Sequence, residues 1–86
     1  MTVGEFLNIP CEENIEFIMI NYCNNHDNIS FTKNELAQEK ILKKDMQALK
    51  IKEIYVDNNN LIVELKFNKS FFKFYKEYLN YYKERD

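Results

Sequence analysis

Glycine and proline occur once each in this chain, tryptophan is absent, and His26 is the only histidine. With Gly4 as the only glycine, no glycine-rich loop of the kind that cradles phosphates can be drawn. No serine–histidine–aspartate set and no paired carboxylates in an evident cleft accompany His26, so no catalytic residues are expected. Cys23, His26 and Asp27 would make half a metal site at most. Structural zinc needs four ligands, so neither metal nor cofactor is expected. Cys11 and Cys23, if on one helix, lie roughly 18 Å apart and cannot bridge. Both read as small apolar packing residues. No apolar run approaches the ~18 residues of a membrane span. The opening MTVGEFLNIP has neither the basic segment nor the apolar stretch of a signal peptide, so a cytoplasmic location is expected.

Basic residues are also missing, but only locally. Residues 1–31 hold Glu5, Glu12, Glu13, Glu16 and Asp27 and no lysine or arginine. The rest of the chain carries all 12 basic residues against the nine other acidic ones, within a net charge of -2. A polyanion would be steered by that local excess rather than by the sum. At 86 residues and 45% hydrophobic, the chain is expected to be one domain with a small core.

What is present reads as α+β. Residues 1–9 form an arm, with Phe6, Leu7 and Ile9 available to tuck onto a core. Pro10 suits the first turn of a helix. Ile15, Ile18, Met19, Tyr22 and Cys23 then fall at helical spacing, which predicts a helix from about 10 to 24. Ile29, Ser30 and Phe31 alternate as a very short strand. Thr32 and Glu35 form a capping-box pattern opening a second helix that buries Leu36 and Ala37. One continuous helix would stack Leu36 over Lys40 and leave the apolar face of Leu42, Met46 and Leu49 pointing elsewhere. The chain should therefore break between 38 and 41 and start a third helix over 40–50. Strands over 51–56 and 61–67 flank a turn at Asp57–Asn60, since Asn and Asp tolerate left-handed backbone. Asn68 or Ser70 caps a last helix over 69–85. Its Phe71, Phe72, Phe74, Tyr75, Tyr78, Leu79, Tyr81 and Tyr82 cover about half the helical wheel, where one core contact needs roughly 100°. That width predicts a homodimer interface of Phe71, Phe74, Tyr75, Tyr78 and Tyr82 beside the core.

The segment Thr32-Lys-Asn-Glu-Leu-Ala37 resembles the "T-x-x-E-L-A" opening of helix 2 in winged helix-turn-helix proteins. Lys43-Lys-Asp-Met-Gln-Ala-Leu49 would follow as recognition helix, and Ile54-Tyr-Val56 with Leu61-Ile-Val-Glu-Leu65 as wing strands. The order α–(β)–α–α–β–β, with an added aromatic C-terminal helix, is similar to small dimeric proteins of plasmids and phages that serve in partition, replication control or conjugation. The stretch from Ala37 to Leu49 is about two residues short for the family, and its turn and wing glycines are missing. The resemblance implies a winged-helix domain over 10–67, a dimerisation helix over 68–86 and sequence-specific binding of duplex DNA, within a larger nucleoprotein complex or as a regulator. Lys33, Lys40, Lys43, Lys44, Lys50 and Lys52 would meet phosphates, Gln47 would reach base edges, and Asn58, Asn59 and Asn60 would touch DNA from the wing. The rival expectation is a protein-interaction module on the same scaffold, such as an inhibitor of a host factor. The acidic first third favours it.

Overall fold

A computed structural model describes residues 1–10, 14–39 and 42–83, with side chains through Tyr81. Among the described residues the fold is α+β, with four helices and a four-stranded mixed sheet. In chain order the elements are α1 (Val3–Leu7), β1 (Ile15–Asn21), β2 (Asp27–Thr32), α2 (Lys33–Gln38), α3 (Lys43–Gln47), β3 (Ile51–Asp57), β4 (Asn60–Leu65) and α4 (Lys69–Tyr78). A π-helical turn, Leu79–Lys83, continues α4.

The first correction lies at residues 15–24, where a helix was expected. Ile15–Asn21 is a strand, and Ile15, Phe17 and Met19 are buried at period two. An apolar run such as IEFIMI satisfies helical and strand spacing together. Its β-branched isoleucines favour the strand. The chain reverses through a turn in which Asn25 and His26 hold left-handed φ of 54° and 56°. It returns as β2, six residues long, paired antiparallel with β1. Cys23 stands exposed in that turn as a free thiol, not packed in a core. Cys11 lies outside the described residues.

Residues 1–9 are not a loose arm. Thr2 accepts from the Glu5 backbone N–H while Glu5 reaches back to the Thr2 backbone, a complete capping box for α1. The Val3 N–H donates to the Leu49 carbonyl at 2.8 Å, and the Ile51 N–H to the Met1 carbonyl at 2.9 Å. Val3 and Phe6 are buried, whereas Ile9 is exposed. Gly4 allows the close approach of α1 to α3: a β-carbon there would stand 3.2 Å from the Gln47 carbonyl oxygen.

The sheet runs β2-β1-β4-β3, with β1 and β4 parallel and the outer pairs antiparallel. The helices cover one face. Phe17 sits at the centre of the core, its ring 6.2 Å from Phe6 and 5.3 Å from Phe31. Met19, Leu36, Leu42, Met46, Val63 and Leu65 surround it with almost no exposure. Ala37, expected inside with Leu36, is exposed. The break between the second and third helices is present, because α2 ends at Gln38 and α3 begins at Lys43. Helix α3 spans five residues rather than the eleven expected over 40–50. Asn68 caps α4 by accepting from the Phe71 N–H at 3.0 Å. Of the winged-helix order, α2, α3 and the β3–β4 hairpin appear in sequence. The first helix of that order is replaced by the β1–β2 hairpin.

Candidate functional site

The expected lysines divide into three groups. Lys43 and Lys44 stand exposed on α3, and Lys50 is exposed just after it. Lys33 is half-buried at the start of α2, and Lys40 lies outside the described residues. Lys52 belongs elsewhere: on the sheet face away from the helices, its Nζ donates to Glu64 Oε2 at 3.2 Å. The Tyr22 hydroxyl donates to the same oxygen at 2.8 Å, and Lys52 Nζ sits 4.6 Å from the Tyr22 ring centre. The bond to Glu64 holds the Lys52 pKa above its ordinary value. The same carboxylate raises that of Tyr22, first through the hydrogen bond. Lys52 is thus the lid of a buried carboxylate, since Glu64 is only 5% exposed. Gln47, the expected base reader, is half-buried, and its backbone and Cβ lie against Gly4 of α1.

The expected wing is distant from these lysines. Asn58 and Asn59 form a two-residue turn, both left-handed, at one end of the hairpin. Asn60 is half-buried and opens β4. Lys50 precedes β3 at the other end, roughly 26 Å away at ~3.3 Å per strand residue. Helix α3 and the wing tip therefore do not make one surface.

What the fold does assemble is a cleft between the end of α3 and the start of α4. One part, about 400 Å³, is lined by Asp45, Ala48, Leu49, Ser70, Phe71 and Phe74. The adjoining part, about 310 Å³, is bordered by Lys50, Lys66 and Phe67. The Lys66 N–H donates to the Lys50 carbonyl at 2.8 Å, which brings these two segments together. Phe67 and Phe74 present half-exposed rings. Lys69 and Lys73 of α4 and Lys44 of α3 are exposed. Among the described residues the ion pairs are Lys52–Glu64 and Lys76–Asp27. Lys43, Lys44, Lys50, Lys66, Lys69 and Lys73 thus have no described carboxylate at pairing distance.

Sequence reading missed Lys66, Lys69 and Lys73. The available signal was their spacing, at i, i+3 and i+7, across the junction from strand to helix.

The expected dimer interface changes as well. Phe71 and Tyr75 are buried in the core of their own chain. Tyr75 packs on Phe31 of β2 at 5.9 Å and on Phe71 at 5.7 Å. Tyr78 is half-buried and donates to Glu39 Oε2 at 2.6 Å. Of the described members of that set only Phe74 is exposed, and it lines the cleft. Tyr82 lies outside the described side chains. The core of one domain thus takes in Phe71 and Tyr75, and Tyr78 is tied to Glu39 at the end of α2.

Among the described residues no group of three or more His, Cys, Asp or Glu is placed to hold a metal ion, and no helix is long and apolar enough to cross a membrane. No family model, curated protein or solved structure matches the chain.

Proposed function

We propose that this chain is a nucleic-acid-binding protein that holds duplex DNA by its phosphates along the cleft between α3 and α4. The observation that carries the reading is the set of exposed lysines 43, 44, 50, 66, 69 and 73, of which Lys50 and Lys66 border the cleft and none is paired with a described carboxylate. Such lysines displace the counterions of a polyanion, and that release drives binding. Phe67 and Phe74 add two half-exposed rings at the cleft.

The winged-helix likeness enters this reading through the α2–α3–hairpin order. Its docking mode does not, because α3 is short and Gln47 is turned against α1. Contacts would be mainly to the backbone, so affinity should depend only weakly on base sequence. An accessory role on DNA, of the kind that small plasmid and phage proteins fill, needs no more than this. No catalytic step is proposed.

Fluorescence anisotropy with A+T-rich duplex DNA tests the reading. Binding should weaken steeply from about 50 to 200 mM salt. Lys50→Ala with Lys66→Ala should weaken it across all sequences and make the log–log salt slope shallower by about two. An unchanged slope would remove the cleft as the site. No binding at the lowest salt would remove DNA altogether.

A second reading has its own support. The floor of the cleft is apolar, with Leu49 and Phe71 below and Phe74 at the rim. A protein partner could seat an apolar side chain there, and the net charge of -2 would not oppose it.

A further inference from the structure

The cleft between α3 and α4 has more in it than the backbone of a duplex needs. Asp45, Ala48 and Leu49 stand at i, i+3 and i+4, so one side of α3 and of the turn that ends it is presented to the cleft. On α4, Ser70 and Phe74 stand at i and i+4 and share a side in the same way. Leu49 and Phe71 are buried and form the floor. At about 400 Å³ this part has the size of a small-ligand pocket, ~300–1,000 Å³.

Among the described residues two groups there lack a ring or ion-pair partner. The Phe74 ring is 51% exposed and enters none of the described ring pairs, whereas Phe67 lies 5.3 Å from Phe72. The Asp45 carboxylate is exposed and belongs to neither described ion pair. Lys50 and Lys66 border the adjoining part, which shares Ala48, Leu49 and Asn68 with the first. On one apolar floor, the cleft thus has a flat ring with a hydrogen-bond acceptor in one part and two cations in the other.

We infer that the cleft seats one unpaired guanine of a nucleic-acid strand, with its ring on Phe74, its pairing edge at Asp45 and its phosphate at Lys50 and Lys66. Inside a duplex, both faces of a base are stacked and its pairing edge is occupied. An unpaired base offers both, and such bases stack on aromatic side chains while lysines follow the phosphates. The carboxylate narrows the choice of base, because it only accepts hydrogen bonds, through two oxygens side by side. Guanine has two adjacent donors on its pairing edge, N1–H and the 2-amino group. Adenine and cytosine each place an acceptor nitrogen beside their amino group, and thymine places a carbonyl on each side of its N3–H. Only guanine meets the carboxylate with two hydrogen bonds and no opposed lone pair. An arginine side chain of a protein would also suit the ring and the carboxylate, but Lys50 and Lys66 oppose a cationic partner. This assignment rests on the cleft being a nucleic-acid site. It adds a preference among bases wherever the strand is unpaired, while paired stretches remain held by their backbone.

Fluorescence anisotropy tests it with a single-stranded run of dA, the same run with one central dG, and a blunt duplex of equal length. At about 50 mM salt the strand with dG should bind about tenfold more tightly than the dA run, as one good bidentate contact to a base provides. Asp45→Asn should erase that difference, since its amide has one acceptor oxygen in place of two. Phe74→Leu should weaken both strands about tenfold, because every base has a face to stack. Circular dichroism checks that each variant folds, as expected at these exposed positions. Equal affinity of the protein for the two strands, or a dG preference that survives Asp45→Asn, overturns the guanine site. In that case continued binding of the duplex leaves the reading of the cleft as a DNA site in place. No binding of any of these probes overturns both. Tighter binding of a short arginine-bearing peptide than of either strand overturns the guanine site in favour of a protein partner.

Discussion

Tyr75 shows how a single side chain ties burial to chemistry. It is 2% exposed and stacked among Phe31, Phe71 and Tyr78. Burial, with smaller contributions from Glu35, Glu39 and Tyr78, pushes its pKa up to about 12. The folded chain holds this proton more tightly than the unfolded chain, whose tyrosines ionise near pH 10. The stability it contributes is therefore complete below pH 10 and is lost as the pH rises from 10 toward 12. Of the six tyrosines, one should titrate only at this upper limit when ultraviolet absorbance is followed. Tyr75→Phe should delete that late step and flatten the alkaline loss of stability. A late step that survives the substitution would assign it to another tyrosine. Glu64 presents the reverse arrangement. It is a buried carboxylate that accepts from Lys52 Nζ and from the Tyr22 hydroxyl, with both partners reaching over it from the solvent side.

Among the elements, α4 depends most plainly on one cap. Asn68 satisfies the Phe71 N–H, and the helix it starts carries Phe71, Phe72 and Tyr75 into the core. Asn68→Ala should cost about 1 kcal/mol, which in a domain of this size lowers the melting temperature by roughly 4–8 °C. Asn68→Ser should recover most of it, since serine caps equally well. Loss of stability in both variants would point to packing of the Asn68 side chain instead. This cap was legible in the sequence, as was the Thr32 cap of α2, because a polar residue before a helical pattern has a local mechanism. The hairpin β3–β4 was legible for the same reason, through the turn residues Asn58 and Asn59. The β1–β2 pair was not. Residues 15–20 are apolar almost throughout, so periodicity could not separate strand from helix. What decides between them is the partner strand β4, which arrives 40 residues later. Lys52 was read correctly as a strand residue, whereas Lys66 falls just past the end of β4. Only the fold shows that one closes over Glu64 while the other joins Lys50 at the cleft.

At the scale of the whole molecule, local charge and net charge part company. The acidic excess belongs to residues 1–31 and the basic excess to the rest, within a net charge of -2. A polyanion held as proposed follows the local excess rather than the sum. Lys43→Ala with Lys44→Ala should therefore weaken binding of duplex DNA about equally across sequences and make the log–log salt slope shallower by about two. Unchanged affinity and slope would take α3 out of the binding surface and leave Lys50 and Lys66 to be judged by their own variant.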